Sequence, residues 1–235
     1  MRPRRTPTPV RAARTAACTT AHVAAGLVTA VIAVAALGAC SSTTGSGTPA
    51  SESRPVSGFS AVELAGVGTV VVEPGTTESV TVEADDNILP MLSSDVAGDT
   101  LVLGTEPGSS ISPRTPISYR VTVTDLSGLL VSGSGDITAG GAAGPALSVA
   151  ISGSGTITTA GTTDRLSVDI SGSGDFAGGS LTARDVDVTV SGSGSALVHA
   201  SATLHASISG SGDVRYLGEP TVTKDVSGSG EVVKQ

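Results

Sequence analysis

The sequence predicts an all-β protein, a right-handed parallel β-helix (solenoid) with coils of about 18–20 residues, and three observations carry that prediction. The first is composition. Of 235 residues, 39% are hydrophobic and 14% charged, with 31 Gly, two Phe, two Tyr and no Trp. Such an excess of Gly, Ser, Thr and Val disfavours long helices, where each interior Gly costs about 1 kcal/mol. It suits short strands joined by tight turns. The second is a repeat. Ser-Gly-Ser-Gly begins at Ser132, Ser152, Ser171, Ser191, Ser209 and Ser227, at spacings of 20, 19, 20, 18 and 18 residues. The third is what the repeat carries with it. Val131, Ile151, Ile170, Val190, Ile208 and Val226 immediately precede the six motifs.

Parity extends the match. Two residues before that column stand Leu129, Val149, Val168, Val188, Ala206 and Lys224, and two earlier again Leu147, Leu166, Val186, Leu204 and Val222. Beyond the motif, Ile137, Ile157, Phe176, Ala196, Val214 and Val232 keep the same parity. Side chains alternate faces along a strand, so each unit has one dry face and one wet face of Ser, Thr and Asp. Gly at the second and fourth motif positions falls on the inward parity, which predicts a bend where no side chain fits. A parallel β-helix, with two short strands and two bends per coil, explains why positions match by identity. An antiparallel β-roll or sandwich, with the tetrapeptide as a hairpin turn, is the alternative. Lys224 at an inward position suits a terminal coil, where a charge also guards an open strand edge.

Residues 1–39 read as a lipoprotein signal peptide. Arg2, Arg4, Arg5, Arg11 and Arg14 precede an uncharged apolar run over 23–39, and Leu37-Gly38-Ala39-Cys40 has the order of a bacterial lipobox. That pattern predicts cleavage before Cys40 and acylation of its sulfur, so that the membrane is reached through lipid rather than a spanning helix. An uncleaved anchor is the competing reading, because the 17 apolar residues touch the lower limit of a span. Residues 40–56, small and polar with two prolines, read as a flexible tether. Residues 57–235 form the expected single domain, with entry strands over 57–126 and the repeats over 127–235. Strand signals fall at 61–64, 69–73, 79–84, 101–103 and 119–124. The stretch from Asn87 to Val96 reads as short helical turns about Pro90 or as a loop covering the end of the core.

Residues 58 to about 215 resemble the head GIN domain family of auto-transporter adhesins. The resemblance rests on Gly58-Phe59-Ser60-Ala61-Val62-Glu63-Leu64, on Gly68-Thr69-Val70-Val71-Val72-Glu73-Pro74-Gly75, on the strand over 79–84, and on the repeated [VI]-S-G-S-G-D units. It implies an envelope-exposed, β-helix-like and often lipid-anchored domain.

Charge and chemistry narrow the function. Five of the 13 Lys and Arg, and none of the 21 Asp and Glu, precede Cys40, which leaves about −13 after cleavage. So acidic a chain disfavours nucleic acid as a partner. Cys18 and Cys40 are the only cysteines, so the exported domain has no disulfide and no thiolate metal site. No Gly-x-Ser-x-Gly elbow occurs, and His199 and His205 are the only candidate bases beyond the signal. Both read as surface residues. Gly172 to Ala177 fits a loose dinucleotide pattern, but no helix follows it. Asp136, Asp175, Asp213 and Glu231 follow their motifs and are expected to stack as a solvated ladder; Ca2+ binding there is the sharper alternative. Arg120, Arg165, Arg184 and Arg215 are scattered. These features lead to a non-enzymatic, lipid-anchored envelope protein on the extracytoplasmic side, displaying a β-solenoid for interaction or adhesion. A cell-wall glycan or an envelope protein is its expected partner, and no catalytic, cofactor or metal residue is assigned. An enzyme acting on envelope polysaccharide, with a groove lined by Arg120, Arg165 or Arg184 and acids, is one alternative. A sensory or regulatory envelope module is another.

Overall fold

The computed structural model describes residues 42–235; the signal peptide expected over 1–39 and the lipid site expected at Cys40 lie outside the described residues. The chain enters through β1 (Thr43–Thr44) and β2 (Pro49–Arg54). A first coil follows as β3 (Ala61–Leu64), a bend over 65–68 and β4 (Thr69–Pro74). Then come β5 (Ser79–Asp85), a 3-10 turn over Leu89–Met91 and β6 (Leu92–Ala97). β7 (Thr100–Thr105), β8 (Ile111–Ser112) and β9 (Ser118–Val123) complete the entry segment. The repeats give β10 (Gly128–Val131), β11 (Asp136–Ile151), β12 (Thr156–Ile170), β13 (Asp175–Val190) and β14 (Ser195–Gly210). β15 (Val214–Leu217), β16 (Thr221–Gly228) and β17 (Val232–Lys234) end the chain.

Consecutive repeats pair in parallel, like over like, as a β-solenoid of stacked coils. Val131, Ile151, Ile170, Val190, Ile208 and Val226 form one column across β10 to β16. Leu64 and Leu103 extend it downward through β3 and β7. On the opposite sheet Ile137, Ile157, Phe176, Ala196, Val214 and Val232 stack in the same way, over Val70 and Tyr119. The odd alanine fits its neighbour. Phe176 is fully buried next to Ala196, and a methyl group on Gly178 would strike its ring, so one large side chain is accommodated by two small residues.

The second bend of each coil is not a loop. β11 to β14 run 15 or 16 residues from one tetrapeptide to the next, turning the far corner within the strand. Register shifts at that corner, between Ala139 and Ala142, Thr158 and Ala160, and Ala177 and Thr182, absorb the unequal repeat lengths.

The entry segment stacks out of chain order. β3 and β4 lie above β7 and β9, to which they pair in parallel, and β10 and β11 then return to the upper side of β3 and β4. Antiparallel strands close the base, with β6 on β7, β5 on β9 and β2 on β5. Ile88 and Leu89, at the 3-10 turn, are buried, so the turn about Pro90 covers the core end, whereas Leu92 to Val96, expected as helical turn or loop, belongs to strand β6 because it pairs antiparallel with β7. The sheet edges at the base are β2 and β6, each paired on one side only, and the polar side chains of β2 make its open edge a poor template for another chain. At the other end Lys224 lies over Ala206 in the last coil and is exposed, as a terminal rung allows.

The flexible tether expected over 40–56 is corrected by these strands. β1 pairs in parallel with β8, and β2 pairs antiparallel with β5 over six residues, from Pro49 opposite Asp85 to Arg54 opposite Val80. As an outermost strand, β2 buries little of either face, so its polar composition mimics a linker while its backbone groups are satisfied in the ladder. Among the described residues the first strand begins at Thr43, ahead of the start expected near Ser57.

Candidate functional site

The tetrapeptide bends build one long edge of the molecule. In each, the serine N–H donates to a glycine carbonyl of the coil beneath, as in Ser154 N to Gly133 O, Ser173 N to Gly153 O and Ser193 N to Gly172 O, each 3.1 Å. A methyl group on Gly153 would fall on Gly133 O, and one on Gly155 on Gly135 O. The missing side chains therefore make room for backbone, not only for a narrow corner. With both glycines pressed inward, the serines point out and are exposed in every bend. The same stack continues beneath the first motif, where Ser134 N donates to Gly66 O at 3.1 Å. Ala65-Gly66-Val67-Gly68 is thus a further unit. Its paired glycines just after Leu64 were the available signal for it.

The acidic positions are not a free ladder. Asp136 Oδ1 accepts from Thr156 N at 2.9 Å, Asp175 Oδ1 from Ser195 N at 3.0 Å, and Asp213 Oδ1 from Glu231 N at 3.0 Å. Asp136 and Asp175 serve the first N–H of the strand above, and Asp213 serves the N–H just before β17. This explains why acid and neutral residues alternate up the column from Asp136 to Ser195. A charged acceptor beneath a backbone donor makes a stronger bond than a neutral one. No group of three or more His, Cys, Asp or Glu gathers as metal ligands among the described residues.

Of the remaining charged candidates only Arg165 and Arg184 come together, at Asp185. Arg120 Nη1 lies 4.0 Å from Glu73 Oε2 on the outer face near the base. Arg184 Nη2 lies 2.8 Å from Asp185 Oδ2. The Thr203 hydroxyl, donating at 2.7 Å, holds the Asp185 carboxyl below the usual carboxylate range, with Arg184 and Arg165 adding to the effect. Arg165 stands in register beneath Asp185, whereas Arg215 lies on β15, which pairs with the half of β14 on the other side of the far corner. His199 and His205 likewise lie in the two halves of β14, paired with β15 and β16 respectively, His205 beside Asp187 in register and His199 with Nδ1 3.4 Å from Thr182 Oγ1. Arg120, Arg165, Arg184 and Arg215 therefore line no common groove.

The feature that sequence reasoning missed is a polar corner at the base. Asp85 is fully buried, and burial pushes its carboxyl up. Four donors outweigh that, and its pKa falls to about 2. Oδ1 accepts from Thr115 Oγ1 at 2.7 Å and Gly47 N at 2.8 Å, and Oδ2 from Arg114 N at 2.8 Å and Thr115 N at 3.1 Å. Gly45 passes so close that a side chain there would strike Asp85 Oδ2. Asn87 accepts from Ser46 N at 2.8 Å and donates to Thr44 O at 2.9 Å, and Ser46 Oγ donates to Asp86. The run Asp85-Asp86-Asn87 between a strand and a turn was the available signal, since Asx side chains satisfy nearby backbone. Deeper in the base, burial pushes Tyr119 up to about 12, partly offset by Arg54.

These features define a β-solenoid domain with a closed base and a row of exposed serine hydroxyls along its bends. The chain belongs to the family described as putative auto-transporter adhesin, head GIN domain, which matches residues 58–220. The family is one of adhesin-like proteins that work at a surface. The fold is shared with a putative adhesin from Bacteroides fragilis, at 19% identity and TM-score 0.68, covering 82% of this chain and all 100% of that one. A putative lipid binding protein from Parabacteroides distasonis also shares it, at 22% identity and TM-score 0.51, covering 83% of this chain and 100% of that one. No curated protein matches the chain.

Proposed function

We propose that this chain is a non-enzymatic, lipid-anchored envelope protein on the extracytoplasmic side, whose solenoid presents a polar, acidic surface for adhesion to a cell-wall glycan or an envelope protein. The observation that carries the reading is the outer wall. Several of its charges are engaged locally, Asp136 by Thr156 N, Asp175 by Ser195 and Arg184 by Asp185, while exposed serines repeat at every bend. Acid–base or nucleophilic catalysis needs such groups brought together around one reacting atom. A regular wall instead offers many equivalent hydrogen-bonding groups along one axis, which suits an extended, repetitive partner. Family membership supports contact rather than turnover as the activity. The anchor rests on Leu37-Gly38-Ala39-Cys40 after the apolar run; the net acidity of the remainder gives no overall electrostatic attraction to anionic headgroups, so insertion of covalent lipid has to supply the hold on the membrane.

Two measurements test this. Cys40→Ser, or inhibition of lipoprotein signal peptidase, is expected to block processing and release the protein from the membrane fraction. Unchanged processing and retention overturn the anchor. The soluble domain is expected to co-sediment with purified insoluble cell wall, and failure to do so removes the glycan as the partner.

A further inference from the structure

We propose that residues 43–54 are a stiff strap, not a tether, so that once Cys40 carries lipid the closed base of the solenoid is held at the bilayer surface, with the loop over 106–117 as the part that meets the headgroups. This rests on the anchoring reading above and adds geometry to it. Cys40 is three residues from Thr43, so its Cα lies no more than about 11 Å away whatever path the chain takes. From Thr43 onward the chain is fastened. Thr43 N donates to Ser110 O at 2.7 Å and Gly45 N to Ser112 O at 2.9 Å. Gly47 N is held by Asp85, Ser46 by Asp86 and Asn87, and Thr48 O by Asp86 N at 2.9 Å. The six-residue pairing of β2 with β5 continues the attachment without a gap of more than a few residues.

The segment fastened nearest to Cys40 pairs with β8, so the loop carrying β8 is the surface closest to the lipid. Pro113, Arg114 and Pro116 are exposed there, and Val67 beside them is 48% exposed. Arg114 is the one cation of that loop, suited to a phosphate headgroup at short range although the rest of the chain is acidic. From β2 to β17 one sheet counts ten strands, β2, β5, β9, β4, β11, β12, β13, β14, β15 and β17. At about 4.8 Å per step that sets the last coil about 43 Å from the strap.

The sequence offers a clean test, because Cys18 lies in the cleaved segment and the thiol of Cys40 is consumed by acylation. The lipidated full-length protein is made as Arg114→Cys or Lys234→Cys, labelled with a polarity-sensitive fluorophore and reconstituted in phosphatidylcholine–phosphatidylglycerol vesicles containing a headgroup-borne quencher. The label at 114 is expected to be quenched at least threefold more than the label at 234. Equal quenching overturns the strap's placement of the base. Protein that does not float with the vesicles instead overturns the lipid anchor. Hydrogen exchange on the soluble domain then decides the strap independently. Amides of residues 43–48 are expected to exchange as slowly as those of β5, and Asn87→Ala to speed residues 44–46 at least tenfold. Free exchange at 43–48 in the unaltered domain overturns the proposal.

Discussion

Asp85 shows how one buried side chain decides whether a segment is a linker. Its carboxylate joins Gly47 to the adjacent pair Arg114 and Thr115, two segments far apart in the chain, and only the ionised form can accept from all four donors at once. The folded pKa of about 2 lies below the ordinary 3.8. The stabilisation is therefore fully present above about pH 4 and lost as pH falls towards 2. Thermal melts between pH 5 and 2 are expected to show this acid limb. Asp85→Asn, which turns an amide N–H2 towards backbone donors, is expected to lower Tm by several degrees at pH 7 and to flatten the limb. A wild-type acid profile in that variant would assign the limb to other carboxylates.

At the scale of the element, the bend rather than the strand is the demanding part. Aliphatic positions tolerate exchange between Val, Ile and Leu because the column needs volume, whereas each motif glycine lies against a carbonyl that cannot move without breaking the ladder. Gly153→Ala is expected to destabilise by about 3 kcal/mol. Gly140→Ala, at a far corner with open space around it, is expected to change stability by less than about 0.5 kcal/mol. Denaturant unfolding of the two variants checks the contrast. Equal effects would mean that the coils separate easily at the bend. The far corner can bulge, which is why repeat length varies there while the tetrapeptide does not.

Across the whole molecule each coil touches only its neighbours, so stability is expected to vary along the axis. The base is closed by antiparallel strands and the polar corner, while β16 and β17 lie in the last rung with Val226 39% and Val233 46% exposed. Hydrogen exchange is expected to be fastest in β16 and β17 and slowest in β12 and β13. Leu166→Ala, in the middle of the stack, is expected to cost about 2–5 kcal/mol, and Val232→Ala in the last coil less than about 1 kcal/mol. A flat exchange profile would show that the solenoid unfolds as one unit.

The sequence by itself determined the coil, its period and its inward columns, because stacked coils place equivalent residues in contact and so repeat them by identity. It also located most entry strands, since alternation and β-branching are local signals. Tertiary structure alone decided three things. Thr43–Thr44 and Pro49–Arg54 became strand because their partners lie 68 residues on, in β8, and 26 to 36 residues on, in β5, and an edge strand with wet faces has the composition of a linker. The out-of-order stacking of β7 and β9 beneath β3 and β4 depends on which edge each strand meets, which no local pattern records. The acids after each motif acquired their role only when the coil above supplied the N–H that each one accepts. Periodicity is written along the chain; partnership at its edges is written in space.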